Sequence, residues 1–279
     1  LKNWIEVKAE FQNEPEDWSI YIEAFDRIGC EETLQTDNPF TLSAYLEDVA
    51  GTQDRVERLT ADLKDLGASG VFTQIVPDED WAENWKQFFK VRHVGEHLVI
   101  VPTWEEYEPK PGETVITLDP GQAFGTGDHP TTRLSLTLLE QADPRDKSVA
   151  DIGCGSGVLA IAACKLGAHP VVASDLDEQS VEITRQNATL NQVDFPAFVA
   201  AGFDSLTGPQ DIVLSNIISA TLMRLAPDAK NFVKPGGVWI VSGIIEQNWD
   251  DVKAKAEAAG FQLETKLQED EWVGATFRL

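Results

Sequence analysis

Hydrophobic and polar positions alternate from Trp4 to Phe11 and then fall at helical spacing from Glu16 to Ile28. Two more alternating runs, Glu31 to Thr36 and Thr41 to Leu46, flank an Asn38-Pro39 turn and predict a strand pair. Gln53 to Leu66 puts Val56, Leu59, Leu63 and Leu66 on one helical face, and Val71 to Val76 supplies a last strand. The order strand-helix-strand-strand-helix-strand predicts a small α+β, ferredoxin-like domain over residues 1–77. Asp78 to Lys90 reads as a connector helix carrying Trp81 and Trp85 one turn apart, with Phe88 and Phe89. That aromatic stripe either packs two domains together or roofs a site. His93 to Val101 alternates as a hairpin toward Pro102, and Pro109 and Pro111 end a linker segment over 78–112.

From Thr114 the pattern predicts a second domain, residues 113–279, built as a doubly wound α/β sheet. Val149-Ala150 carries a strand into a glycine turn, and Val158 to Leu166 is an apolar helical stretch. Strands then follow at Val171 to Asp175, Ala197 to Ala200, Asp211 to Leu214 and Val238 to Val241. Helices are expected over Gln179 to Asn191, from Ile218 toward Phe232, and over Trp249 to Ala259, the last capped by Gly260. Lys234-Pro-Gly236-Gly237 reads as a turn, and Gln262 to Lys266 with Trp272 to Phe277 as an antiparallel pair.

The chemistry concentrates at Asp151-Ile-Gly153-Cys-Gly155-Ser-Gly157, with Asp175 closing the next strand. Glycines there let the main chain approach a ligand, and an acid at a strand tip can accept both hydroxyls of a ribose. The amides at the start of the following helix present partial positive charge, suited to a carboxylate. A dinucleotide fingerprint fits loosely, as Gly155-x-Gly157-x-x-Ala160. Asp151 argues against it, because an acid at the strand end repels a diphosphate but tolerates the cationic amino and sulfonium groups of S-adenosylmethionine. S-adenosylmethionine is therefore the expected cofactor, with a nicotinamide dinucleotide or no cofactor as alternatives. Asp177 reads as a helix-start residue.

A second run, Leu118-Asp-Pro-Gly121 through Gly125-Thr-Gly127-Asp-His129-Pro-Thr131-Thr132, precedes a helical pattern and resembles a loop that closes over a ligand. Thr132 either contacts the cofactor from that helix start or merely caps it. His129-Pro130 is a structural bend or, alternatively, an acid-base group. Asn216 ends the Asp211-Ile-Val-Leu-Ser strand at the mouth of the fourth sheet strand of this domain. There its amide can accept a hydrogen bond from an amine nucleophile or meet the cofactor's amino group. No Asn-Pro-Pro-aromatic segment follows, which disfavours methylation of nucleic-acid bases.

Charge narrows the partners. Forty-seven acids against 22 Lys plus Arg give a formal net charge of −25. A phosphate backbone meets an average repulsion, so no direct nucleic-acid substrate is expected, whereas a basic protein or small amine suits that field. Residues 1–77 carry sixteen acids and six basic residues. Cys30, Cys154 and Cys164 have no metal-ligand spacing, and Cys154 and Cys164 read as small apolar residues rather than nucleophiles, so no metal is expected. No apolar stretch is long enough to span a membrane and no signal peptide opens the chain. Leu1 in place of Met reads as a trimmed or renumbered start. The expectation is a cytoplasmic, monomeric protein with no membrane partner.

Taken together these residues resemble the family that methylates the eleventh protein of the large ribosomal subunit. The resemblance covers essentially the whole chain. It rests on Asp78-Glu-Asp-Trp81 through Trp85-Lys86, Leu118 through Thr132, Asp151 through Gly157, Ser215-Asn216-Ile217, Val241-Ser-Gly243-Ile244 and Glu271-Trp272. Departures are Asp128 where the family commonly has Thr, Gln122 for a usually apolar residue, and Ser215 where Ala is frequent. The resemblance implies a class I S-adenosylmethionine-dependent methyltransferase domain behind a substrate-recognition domain. Cofactor contacts are implied at Thr132, Gly153, Asp175 and Asn216, beside Gly155 of the turn. The implied reaction methylates lysine side-chain or N-terminal amines of that ribosomal protein, free or ribosome-bound, and releases S-adenosylhomocysteine. Asn216 is the expected catalytic residue. A methyltransferase for small amines, or a module that binds S-adenosylmethionine without catalysis, are the alternatives.

Overall fold

The computed structural model describes residues 3–13, 15, 18–30, 33–37, 39–49, 51–77, 89–119, 127 and 129–279. The chain divides into two compact units, Leu1–Phe88 and Phe89–Leu279.

In the first unit β1 (Asn3–Phe11), α1 (Ser19–Asp26), β2 (Leu34–Asp37), β3 (Phe40–Glu47), α2 (Thr52–Asp65) and β4 (Gly70–Pro77) follow the predicted order. The sheet runs β2-β3-β1-β4, with β1 antiparallel to β3 and to β4, as a ferredoxin-like module requires. Alternation builds its core: Ile5, Val7 and Ala9 of β1 lie opposite Leu46, Ala44 and Leu42 of β3. These six pack with Phe25 of α1 and Leu59 and Leu63 of α2. Leu66, expected on the buried face of α2, is the residue just past the helix end and stays exposed. Asn38 of the expected turn lies outside the described residues, as do Trp81, Trp85 and Phe88 of the expected connector helix. Phe89 and Lys90 are not helical.

The second unit begins with a small sheet. β5 (Arg92–Val94) and β6 (Leu98–Pro102) form the expected hairpin, and β6 pairs in parallel with β7 (Thr114–Leu118). Leu98, Ile100, Ile116 and Leu118 share one buried cluster with Val149 and Leu159, so the hairpin assigned to a linker is part of this unit's core. β7 also corrects the expectation that the large sheet opens at Thr114, because it does not enter that sheet. Its main chain is held by side chains of a helix. Thr117 N donates to Asn191 Oδ1 at 2.9 Å, Asn191 Nδ2 donates to Thr117 O at 2.6 Å, and Asp119 N donates to Asn187 Oδ1 at 3.0 Å. Two amide side chains thereby satisfy main-chain groups that a neighbouring strand would otherwise pair.

The large sheet is doubly wound, as predicted. Its chain order is α3 (Pro130–Gln141), β8 (Val149–Ile152), α4 (Val158–Lys165), β9 (Val171–Asp175), α5 (Glu178–Leu190), β10 (Ala197–Val199) and β11 (Gln210–Asn216). α6 (Ser219–Ala229), β12 (Val233–Ile245), α7 (Trp249–Ala258), β13 (Gln262–Glu269) and β14 (Trp272–Arg278) complete it. The spatial order is β10-β9-β8-β11-β12-β14-β13, parallel through β12 and antiparallel at β14. Lys234 to Gly237 is not a separate turn. It lies inside β12 as an irregularity, where Gln210 and Ile212 of β11 face Val233 and Val238. At Gly260, φ of +105° and the bond from Phe261 N to Ala256 O close α7 as a glycine cap does.

Candidate functional site

β8 is the strand at which the winding reverses, since the chain leaves it toward β9 and β10 on one side and returns to β11 on the other. Open α/β sheets hold ligands at the carboxyl ends of strands beside such a switch point. A cavity of about 540 Å³ opens there. Gly153 and Gly155 line it from the turn after β8, Asp175 from the tip of β9 and Asn216 from the tip of β11.

Gly153, Gly155 and Gly157 all have positive φ, so the turn takes a course that other residues adopt only with strain. At Gly153 a Cβ would also collide with Ile217 Cγ2, which follows Asn216. The bare main chain of the turn is therefore what lets two strand ends share one cavity wall. The same closeness recurs at Gly243 (φ +82°), where a Cβ would lie 2.8 Å from the Ile217 carbonyl carbon.

Asp175 shapes this turn as well as lining the cavity. Its Oδ2 accepts Gly155 N at 2.9 Å and its Oδ1 accepts Asp177 N at 3.1 Å. Each carboxylate oxygen keeps a further lone pair for a ligand hydroxyl. Asp177 is the N-cap of α5; bonds from the Ser180 hydroxyl, Gln179 N and Ser180 N hold its carboxyl below the usual carboxylate range.

Asp151 requires a correction. Inside the central strand β8 it is fully buried and is not among the residues that line the cavity; its Oδ2 accepts Ala160 N of α4 at 3.1 Å, and its Oδ1 has no protein partner. Burial pushes its carboxyl up to about 7, against the bond from Ala160 and with a further push from Asp175. The expected charge at the strand end is therefore not on the cavity surface. The carboxylate that faces the cavity is Asp175.

Asn216 meets Thr132 behind the cavity wall. Its Nδ2 donates to Thr132 Oγ1 at 3.4 Å, while its Oδ1 is buried with no protein partner. Thr132 itself is completely buried and does not line the cavity; its neighbour Thr131 does. Thr132 thus reaches the site through Asn216. His129 is the N-cap of α3, with its Nδ1 accepting Thr131 N at 3.3 Å and Pro130 in the first turn, which fits the structural-bend reading. Its ring also lines the cavity and meets Trp272 edge-on, with centroids 4.7 Å apart. Of the run 118–132, residues 120–126 and 128 lie outside the described residues, Phe124 and Asp128 among them.

Several lining residues escaped the sequence reading. Leu176 and Ile218 follow the two strand tips closely and remain 67% and 69% exposed, so they form an apolar rim. Their position beside Asp175 and Asn216 was a usable signal. Ala200 to Gly202, Thr221 and Arg224 had none, because only folding brings the β10 loop and α6 to this edge. Cys154 also lines the cavity, but burial raises its thiol and its Sγ lies 3.3 Å from Thr184 Oγ1, so it is an inert wall. The half-buried Cys164 thiol is pushed up to about 11 for the same reason.

The residues present fit a nucleoside-bearing cation. The glycine cradle admits no Cβ at Gly153, Asp175 supplies hydroxyl acceptors and negative charge, and the orphaned Asn216 Oδ1 supplies a further acceptor. Among the described residues no group of His, Cys, Asp and Glu is placed to hold a metal ion, and no helix is long and apolar enough to cross a membrane.

Comparison with known proteins covers nearly the whole chain. The profile of a family described as ribosomal protein L11 methyltransferase (PrmA) matches residues 6–279. A ribosomal protein L11 methyltransferase of Streptococcus pneumoniae (strain JJA) is 40% identical over 274 residues, covering 94% of this chain and 86% of its own. One of Streptococcus thermophilus (strain CNRZ 1066) is 39% identical over 273 residues, with the same coverage of 94% and 86%. The crystal structure of a ribosomal protein L11 methylase from Lactobacillus delbrueckii subsp. bulgaricus is 34% identical, with a TM-score of 0.65 over 68% of this chain and 98% of that one.

Proposed function

This chain belongs to the ribosomal protein L11 methyltransferase family, and we propose that it methylates lysine side-chain or N-terminal amines of ribosomal protein L11. The carrying observation is the cavity at the ends of β8, β9 and β11, where the glycine turn, Asp175 and Asn216 meet. When bound, S-adenosylmethionine supplies an electrophilic methyl group, and S-adenosylhomocysteine is the product.

Gly153 and Gly155 admit the donor close to the main chain, and Asp175 accepts its ribose hydroxyls. The apolar rim of Leu176 and Ile218 excludes water from the flat face of a base. The acceptor amine must reach the site without its proton, because a lysine of pKa about 10.4 is mostly ammonium at neutral pH. Desolvation by apolar walls disfavours the ammonium form, whereas a nearby carboxylate would stabilise it. Asp175 is the single carboxylate among the described lining residues. It stands two strands from Asn216, or roughly 10 Å by strand spacing. Asn216 Oδ1 accepts a hydrogen bond from the amine and orients its lone pair without adding charge. Among the described lining residues the imidazole, His129, is held through Nδ1 as the N-cap of α3, and water takes the proton.

The first unit, with its own core and acid excess, selects the protein substrate. Deleting residues 1–77 is expected to spare S-adenosylhomocysteine binding and to abolish most methylation of the ribosomal protein. The function itself is tested by incubating the full chain with methyl-labelled S-adenosylmethionine and purified ribosomal protein L11. Label on the protein is the expected result; cofactor binding with no transferred label would leave only a binding module.

A further inference from the structure

β4 is an edge strand of unusual character. Among the described residues it pairs only with β1, so its outer row of main-chain N–H and C=O groups has no strand beside it. Edge strands are ordinarily protected by charge, by shortness or by a bulge, since an open edge templates pairing with another chain. Gly70-Val-Phe-Thr-Gln-Ile-Val-Pro77 has none of these along its eight residues: it carries no charged side chain and keeps unbroken register with β1 from Pro77 to Gly70. Only Pro77, at its end, is a blunting residue. The opposite edge, β2, is four residues long.

Burial adds a second feature. Residues 72–75 are all exposed, although neighbours in a strand point to opposite faces. Phe72 is 56% and Ile75 64% exposed, so one large apolar side chain stands uncovered on each face of the same edge. A strand added here would gain main-chain pairing along β4 and an apolar neighbour on either side.

Charge identifies the occupant. On the strand behind this edge, Glu6 lies opposite Gln74, Lys8 opposite Phe72 and Glu10 opposite Gly70. Lys8 Nζ pairs with Glu10 at 3.6 Å, which among the described residues leaves Glu6 as the acid on that face without a cation. Glu6 already holds Tyr45 Oη at 2.9 Å and Gln74 Nε2 at 2.5 Å, which keeps its carboxylate on that face. A second copy pairing through its own β4 would bring no cation to the seam, and residues 1–77 as a whole hold sixteen acids against six basic residues. A basic strand would instead set long cationic side chains over Gln74 within reach of Glu6.

We propose that β4 is the docking edge for an extended, basic segment of the protein substrate, added antiparallel or parallel to Gly70–Pro77. This rests on the reading of the chain as a protein methyltransferase, and it states how the first unit grips its substrate. Main-chain pairing supplies affinity and register, and Phe72 with Ile75 supplies the side-chain contacts.

The test uses the full chain with purified ribosomal protein L11 and measures amide hydrogen exchange, initial rates and S-adenosylhomocysteine binding. Substrate is expected to slow exchange across residues 70–77 by about tenfold or more, as new main-chain bonds require. Replacing both exposed residues (Phe72→Lys with Ile75→Lys) is expected to raise KM for the protein by about tenfold, with kcat, S-adenosylhomocysteine affinity and Tm unchanged. Wild-type turnover with no change in exchange at 70–77, or a variant KM within about twofold of wild type, would overturn the docking edge alone. Protection of 70–77 that grows with enzyme concentration and without substrate would assign the edge to a second copy and overturn it too. Wild-type enzyme that places no methyl on the ribosomal protein would overturn the functional reading and this proposal with it.

Discussion

Asn216 Nδ2 donates to Thr132 Oγ1 at 3.4 Å, tying the tip of β11 to the first turn of α3 across 84 residues of chain. The bond aims the remaining amide oxygen of Asn216, which is buried and without a protein partner. Asn216→Ala removes that oxygen and is expected to lower kcat by about 10–100-fold, with a smaller change in S-adenosylhomocysteine affinity. Thr132→Val keeps the shape and loses the hydroxyl, so it should lower kcat by about threefold to tenfold, and Thr132→Ser should restore it. Steady-state rates with saturating cofactor check both. Equal kcat in Thr132→Val and wild type would show that the pair does not orient the amide.

Asp175 faces the cavity and also holds the turn through Gly155 N. Asp175→Ala should therefore weaken S-adenosylhomocysteine binding by about 10–100-fold, which corresponds to about 1.4–2.8 kcal/mol. Asp175→Asn keeps an acceptor oxygen and should fall between the two. Calorimetric titration measures this directly; unaltered affinity in Asp175→Ala would remove the residue from the ligand contacts.

Asn187 is a buried clasp between two loops of the site. Its Oδ1 accepts Asp119 N at 3.0 Å at the foot of the glycine-threonine run, and its Nδ2 donates to Ser156 O at 2.9 Å in the glycine turn. Asn187→Leu leaves the buried Ser156 O without this donor and releases Asp119 N, with an expected loss of about 1–3 kcal/mol in unfolding free energy. Asn187→Asp keeps the acceptor but cannot donate to Ser156 O while ionised, so it should weaken cofactor binding at neutral pH and recover part of it in acid. Urea unfolding and titration at pH 5 and 8 separate the two effects.

Asp151 makes stability depend on pH in a definite direction. Burial pushes its folded-state carboxyl up to about 7, whereas the unfolded chain ionises near 3.8. Between those values the folded state retains a proton that the unfolded state releases, so stability falls as pH rises from about 4 to about 7 and is flat above. Asp151→Asn lacks this titration. The variant's stability minus that of wild type should climb through the window by a few kcal/mol at most. Denaturant midpoints at pH 5 and 8 supply the comparison, and a pH-independent difference would mean that Asp151 ionises normally in the fold.

Local spacing along the chain was enough for the two-unit order, the ferredoxin-like module, the doubly wound sheet, the glycine turn and the strand-tip residues Asp175 and Asn216. Periodicity and positive-φ glycines act over a few residues, and their physical cause lies in the neighbouring main chain. Contacts between distant segments had no such local signature. Asn191 bonds the main chain of β7 and Asn187 that of Asp119 just past it, while β7 stays outside the large sheet; nothing in the alternation of Thr114 to Leu118 distinguishes that outcome from a sheet strand. The acid of the glycine motif reads as a charge aimed at the ligand, yet Asp151 is fully buried in the central strand and the carboxylate lining the cavity is Asp175. Thr132 stands behind Asn216 and Trp272 against His129. The chain's pattern determined which segments become strands and helices and which residues end them; tertiary packing alone decided which side chains face the cavity, because that depends on neighbours scores of residues away.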